Sequence, residues 1–341
     1  MPDEFFYLNF YGVFVKIKSY DKECISFIRT DFSYFFISSE ESIREPEITV
    51  SVFLCKPPLD RIPKGTIAAY HTKDAVVYKK GDVNYFDSSG KGMVIFDHKN
   101  KSAEIYSLQR DFLYEKSYLM IMSRVGEILD KKKLHRIHSM GVVYKGKAII
   151  CLLPMGGGKT TLTLSLLANK EFYLLSEEVP LVSNKGFLYP FPIRMGVTEG
   201  TQLSIPGEFL KNFNRTHYLP KTLIDVEYFN EQISEMAKPG FLFIGKRVYS
   251  EKPEIIKISK FKAFPSLFRL CVMGIGIPQL MEYILRFDFL DMARQLPIFF
   301  SRLWASVLLL KRSKTYELHL GYDKSVNADY LTNFIMKNLK S

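Results

Sequence analysis

One stretch constrains what this chain can fold into more than any other. Residues 141–163 read GVVYKGKAIICLLPMGGGKTTLT. Ala148 to Leu153 is a continuous apolar run, the pattern of a strand buried on both faces. Lys145-Gly146 is a turn signal joining it to a preceding strand. Gly156, Gly157 and Gly158 follow almost at once, then Lys159, Thr160 and Thr161. Consecutive glycines carry no Cβ, so their backbone N–H groups are free to converge on an anion. Leu162 to Ala168 is a good helix former, and the N-terminus of that helix favours negative charge. Lys159 is long enough to reach terminal phosphates, and the Thr160 hydroxyl can ligate magnesium. The stretch therefore predicts a nucleotide phosphate-binding loop, its contacts running from Met155 to Thr161. It departs from the usual pattern at one position: Leu153 stands where the first glycine is expected.

A chain of 341 residues suits two domains with ample core. Its 47% apolar and 24% charged content is that of a globular protein. The net charge of +11 suits nucleic acid, acidic lipid, or an anionic nucleotide and an acidic partner. The basic residues are scattered apart from Lys131-Lys132-Lys133 and Lys311-Arg312, and no zinc spacing or RNA-binding aromatic motif accompanies them. Nucleic acid is therefore not expected as a partner. Cys24, Cys55, Cys151 and Cys271 have neither metal nor redox spacing, which points to a reduced, cytoplasmic compartment. The acidic start, Met1-Pro2-Asp3-Glu4, does not read as a signal peptide. No membrane span is expected: the longest apolar run, Leu270 to Leu285, is short and interrupted by Glu282.

Residues 1–130 read as a β-rich N-terminal domain. Gly12–Ile17, Ile48–Phe53, Ala75–Tyr78, Met93–Phe96 and Ala103–Tyr106 are short, rich in β-branched or aromatic residues, and separated by turn signals. No catalytic constellation falls among them, which leaves recognition or assembly as the domain's role. Leu113 to Leu129 has helical spacing and leads to a boundary at Lys131 to Lys133, a solvated helix end. Residues 131–341 form the second domain.

Beyond the glycine loop, Tyr173-Leu174-Leu175-Ser176 predicts a short buried strand ending in Glu177 and Glu178. Such a strand can lie beside the loop strand and deliver both carboxylates to the phosphates. One is needed to hold magnesium, and the other can accept the proton of an attacking hydroxyl. Glu177 is taken as the base and Glu178 as the metal ligand, although spacing alone does not order the two. Arg194, framed by Pro190, Pro192 and Gly196, is a candidate for stabilising a phosphoryl group in transfer. His135 and His138 are three apart but lack a third ligand nearby, so they do not read as a metal pair. Further on, Thr198 to Pro220 reads as loop with a short helix. Phe241–Gly245, Ile255–Ile258 and Thr315–Gly321 read as strands. Residues 262–310 read as apolar helices broken at Gly274, Gly276, Pro278 and Pro297, and Asp329 to Leu339 as a last helix with Asn327 as its cap.

His138, Gly141, the hairpin into the glycine loop, Lys159-Thr160-Thr161-Leu162, Leu175-Ser176-Glu177-Glu178-Val179 and a hairpin read over Val179–Phe191 that ends in the proline-rich Pro190–Gly196, in this order, resemble the HPr kinase/phosphorylase family. That family shares its nucleotide-binding architecture with phosphoenolpyruvate carboxykinase. The resemblance covers 133–200 well and 200–341 loosely, and does not extend to the first 130 residues. It implies a mixed, β-rich α/β fold, with a P-loop domain of that type behind the N-terminal β-rich domain. It implies that Lys159 and Thr160 meet the nucleotide phosphates and magnesium, and that Glu177 and Glu178 stand for a pair that is usually Asp-Asp. It places His138 beside the general base, while Arg194 matches only approximately. It further implies a homo-oligomer.

The expected activity is an ATP- and Mg²⁺-dependent kinase moving the γ-phosphoryl group to a hydroxyl of a protein, a peptide or a small molecule such as serine. The alternative is a nucleotide-binding switch or assembly protein without phosphoryl transfer, which the Leu153 and Glu-for-Asp departures would suit. A binder of acidic membranes or nucleic acid, driven by charge alone, is a lesser third reading.

Overall fold

The computed structural model describes residues 4–38, 44–71, 75–154, 156–198, 201, 203–214, 219–277 and 289–339, with side chains omitted for 289–295. The protein is mixed α/β and β-rich. It divides into two compact units: 1–125 with 198–226, and 126–197 with 227–341. The second domain is thus not the unbroken 131–341 expected from sequence. The chain leaves it at 197 and returns at 227.

The first unit begins with β1 (Glu4–Asn9), β2 (Phe14–Ser19), α1 (Lys22–Asp31) and β3 (Ile48–Leu54). It continues through β4 (Ala68–His71), β5 (Val76–Lys80), β6 (Val83–Asp87), β7 (Gly92–Asp97) and β8 (Ser102–Ser107). These strands form one sheet in the order β1-β2-β3-β8-β7-β6-β5-β4. Its antiparallel arm pairs β4 to β8 in chain order. At its centre, however, β2, β3 and β8 are mutually parallel. Parallel neighbours need a crossover, and α1 lies between β2 and β3 in the chain. Two serines steer the chain off the sheet. Ser19 Oγ accepts the N–H of Asp21 at 3.1 Å, and Ser107 Oγ accepts that of Gln109 at 3.0 Å. Each turn leads into a helix: α1 after β2, and α2 (Arg110–Lys131) after β8.

The second unit takes over within α2 and runs through β9 (Leu134–Arg136), β10 (Met140–Tyr144), β11 (Lys147–Leu152), α3 (Lys159–Leu167) and β12 (Phe172–Ser176). Lys131, Lys132 and Lys133 are exposed at the end of α2. A hairpin of β13 (Leu181–Ser183) and β14 (Leu188–Tyr189) follows, then β15 (Met195–Thr198). The span expected to be loop holds β16 (Leu210–Phe213), which pairs antiparallel with β17 (Lys221–Ile224) just beyond it, both in the first unit. The second unit resumes with β18 (Lys238–Arg247), β19 (Glu254–Lys257) and α4 (Lys260–Leu267). A π-helical turn, Phe268–Val272, follows, then α5 (Phe289–Arg312), β20 (Lys314–Leu320) and α6 (Lys324–Asn338).

Its main sheet has the order β12-β10-β11-β18-β20-β19. Alternate residues of β11 serve two cores. Ile150 and Leu152 pack with Leu267 of α4 and Leu309 of α5. Ile149 and Cys151 pack with Leu162 and Leu166 of α3 and Leu331 of α6. A strand covered on both faces is why the run Ala148–Leu153 lacks polar alternation. One capping expectation fails. Asp323 caps α6 by accepting the N–H groups of Ser325 and Val326. Asn327 lies inside the helix, where its amide closes on Gly321 through both N–H and C=O.

Candidate phosphate-binding site

Strand β11 runs into Pro154, and the three glycines come next. Gly156 (φ 72°) and Gly158 (φ 91°) are left-handed, and a Cβ on either would meet nothing within 4 Å. The constraint there is the backbone conformation, which L residues adopt only with strain. Gly157 is different: its N–H bonds the Pro154 carbonyl at 3.0 Å, and a Cβ would lie 2.9 Å from that same oxygen. Helix α3 begins at Lys159 with no side chain capping its first turn. That uncapped N-terminus faces a bare run of glycines, the arrangement that suits an anion. Thr161 is half-buried in that first turn. Met155, expected among the contacts, lies outside the described residues.

Leu153 has a structural reason for standing where a glycine was expected. It is fully buried in the core against α3. A Cβ on Gly245 of β18 would sit 2.2 Å from Leu153 Cδ2. Glycine has in effect moved to the neighbouring strand, making room for a side chain at the mouth of the loop.

The carboxylates arrive by a route that differs from expectation. Strand β12 pairs with β10, so β10 separates it from the loop strand. Both pairings are antiparallel, hence β11 and β12 point the same way and end at the same sheet edge. Ser176 closes β12 by accepting the N–H groups of Glu178 at 3.3 Å and Val179 at 3.0 Å. The chain then runs beside the entrance to β10: Ser139 N–H bonds the Glu178 carbonyl and Ile137 N–H that of Pro180, both at 3.0 Å. Gly141 permits this approach, since a Cβ would lie 3.1 Å from the Pro180 ring.

The resulting geometry brings four of the expected side chains together. Thr160 Oγ1 donates to Glu177 Oε1 at 2.7 Å. Lys159 Nζ lies 2.9 Å from His138 Nε2 and 3.3 Å from the Leu153 carbonyl. Burial, with the Lys159 charge adding to it, pushes His138 down to about 4. The ring is neutral at pH 7, with Nε2 accepting from lysine and the proton on Nδ1. That Nδ1 is buried without a hydrogen-bond partner among the described residues. Glu178 is half-buried one residue from Glu177, and its backbone, through Ser139, abuts His138. Arg194 is half-buried at the end of the coil leading into β15.

Sequence reasoning missed the wall behind His138. The His138 N–H bonds the carbonyl of Leu270, within the π-helical turn, at 3.1 Å. Gly276 (φ 91°) lies flat against the ring, where a Cβ would come within 2.8 Å of Cδ2. The only signal in the sequence was the pair Gly274 and Gly276, legible as helix breaks but not as contacts. His135 serves another purpose. Its Nδ1 bonds Asp130 at 2.8 Å, and its Nε2 bonds Asn184 and Ser301, both at 2.9 Å. Among the described residues no cluster of three or more His, Cys, Asp or Glu side chains is placed to hold a metal. No described helix is long and apolar enough to cross a membrane. The four cysteines are free thiols, and burial pushes Cys151 up to about 12.

Comparison with known proteins finds no matching family model and no similar curated sequence.

Proposed function

We propose that this protein is an ATP- and Mg²⁺-dependent kinase that transfers the γ-phosphoryl group to a hydroxyl, with the nucleotide-binding architecture of the HPr kinase type. The observation that carries this reading is the convergence, at one sheet edge, of an open glycine cradle, Lys159 and the Thr160–Glu177 pair. The residues fit the groups they would hold. Gly156, Gly157, Gly158 and the first turn of α3 would bind the phosphates through backbone N–H groups, and Thr160 with Glu177 would hold magnesium. The bound cation would supply charge neutralisation along the phosphates.

The protein's own groups supply the rest. Lys159 exchanges its contact with His138 for the terminal phosphates. Neutral His138 accepts from the lysine and holds it beside the loop. Because Thr160 bonds Glu177, the pairing favours Glu177 for the metal side. Glu178 is then left as the carboxylate able to take the acceptor's proton, the reverse of the order first expected. Catalysis of this kind rests on positioning and charge, not on a covalent intermediate. The test is transfer of labelled γ-phosphate to a panel of hydroxyl acceptors. Wild type should label an acceptor, and Lys159→Ala should lower that labelling by at least 100-fold. Undiminished transfer by Lys159→Ala would refute the assignment.

One observation favours the silent-switch alternative: Lys159 already spends donors on His138 and the Leu153 carbonyl. ATP binding without turnover on any acceptor would select that alternative.

A further inference from the structure

The parallel strands at the heart of the first unit, β2, β3 and β8, end side by side at Ser19, Leu54 and Ser107. Helices α1 and α2 both start at this edge. In open α/β sheets the crevice beyond the carboxyl ends of parallel strands is where ligands bind. Two cavities open there, of about 680 Å³ and about 530 Å³, with Arg110 lining both. Each has an aromatic wall: Phe27 and Tyr114 in the larger, Phe53 and Tyr20 in the smaller. Phe27 and Tyr114 stack with centroids 3.9 Å apart and planes 1° from parallel. Tyr114 is 4% exposed, and its hydroxyl has no hydrogen-bond partner among the described residues.

The charges select among ligands. Asp21 caps α1 by accepting the Glu23 N–H, and acidic Glu23 and Asp111 occupy the first turns of α1 and α2. Carboxylates therefore already hold the positions a phosphate would take, and a polyanion is repelled. Arg110 is matched by Asp21 at 2.8 Å and Glu23 at 3.2 Å. Lys211, in the larger cavity, differs. Its Nζ bonds the neutral Thr30 hydroxyl at 2.6 Å and lies 5.4 Å from the Phe27 ring centroid. Burial holds it below the usual lysine range, although Asp31 and Asp225 pull the other way.

We infer that this edge is a groove for an extended peptide carrying an acidic side chain, directed to Lys211, beside aromatic or apolar ones. Two cavities flanking Arg110 along the strand ends favour a chain over a compact metabolite, and Glu23 and Asp111 can accept from the N–H groups of such a chain. This inference stands on the first unit alone, so its failure leaves the phosphoryl-transfer reading untouched.

The test uses the full chain and a fluorescein-labelled peptide with one glutamate flanked by phenylalanines, with the same peptide carrying lysine in place of the glutamate as control. Fluorescence anisotropy should report saturable binding of the acidic peptide and at least ten-fold weaker binding of the control. Lys211→Glu should weaken the acidic peptide at least ten-fold. Lys211→Gln, which removes the charge while keeping a polar side chain should Lys211→Glu not fold, should weaken it about five-fold, the upper end for one exposed ion pair. Cys55 lines the smaller cavity and is the exposed cysteine, so saturating acidic peptide should slow its alkylation at least five-fold. Equal affinity for both peptides, no binding at all, an unchanged Kd in folded Lys211 variants, or unprotected Cys55 would each overturn the groove.

Discussion

The ammonium of Lys159 lies 2.9 Å from Nε2 of His138, and its charge adds to burial in keeping that imidazole neutral. A protonated imidazole would oppose the lysine, so the histidine stays neutral and becomes its acceptor. Nuclear magnetic resonance titration should find His138 near 4, against an ordinary value of 6.5. Lys159→Ala should raise it only part of the way, because burial is the larger cause. A His138 that titrates at 6.5 in the wild type would contradict the contact.

The same depression fixes a pH dependence of stability. The unfolded chain takes up a proton near 6.5, while the folded one resists it until about 4. The contribution is fully present above 6.5 and is lost as pH falls through 4. Denaturant titrations at pH 7, 5.5 and 4.5 should show declining stability, and His138→Gln should flatten that decline across the window.

Leu153 and Gly245 are a matched pair. Gly245→Ala drives a methyl into the Leu153 side chain and should cost about 1–3 kcal/mol or more by overpacking. Leu153→Ala should cost about 2–5 kcal/mol through the cavity it leaves. The double variant should be more stable than the sum of the two losses, since each change relieves the other. Simple additivity in chemical denaturation would show that the two side chains do not compete for one space.

Much of this site was legible because glycine, lysine and a strand-ending acid pair are local signals. The run Ala148–Leu153 announces a strand covered on both faces, and the three glycines announce the loop. The position of β12 was not legible, because alternation tells which face a residue takes but not which strand lies beside it. The apolar period of β12 suits either neighbour, and only the antiparallel pairing with β10 decides. The departure of 198–226 to the other unit was hidden for a similar reason: contacts between distant segments leave no periodic trace. Gly276 could be seen as a break, but its role against His138 depends on a chain 138 residues away, counted from 276 − 138.

A buried ion pair braces the second unit. Asp130 bonds Arg302 at 2.7 Å as well as His135, and both charged groups are essentially inaccessible. Burial alone would raise the Asp130 carboxyl, but Arg302 and His135 hold it well below the usual carboxylate range. Arg302 also donates to the Cys271 carbonyl, beside the Leu270 carbonyl that receives His138. Asp130→Ala should destabilise the fold by about 3–5 kcal/mol, because it strands a buried guanidinium. Asp130→Leu combined with Arg302→Met should recover much of that loss in thermal or urea unfolding. A single variant as stable as wild type would argue that the pair is wet and unimportant.

The most direct measurement is calorimetric titration of Mg²⁺-ATP into wild type, Lys159→Ala and Glu177→Gln. The wild type should bind one nucleotide saturably. Lys159→Ala should weaken binding about 100-fold or more, the loss of about 3 kcal/mol expected for a charge-assisted phosphate contact. Glu177→Gln should retain ATP binding in the absence of Mg²⁺ but lose most of the gain that the cation confers. Equal affinity across all three proteins, or no heat from the wild type at millimolar nucleotide, would mean that the glycine loop at the end of β11 does not hold a triphosphate.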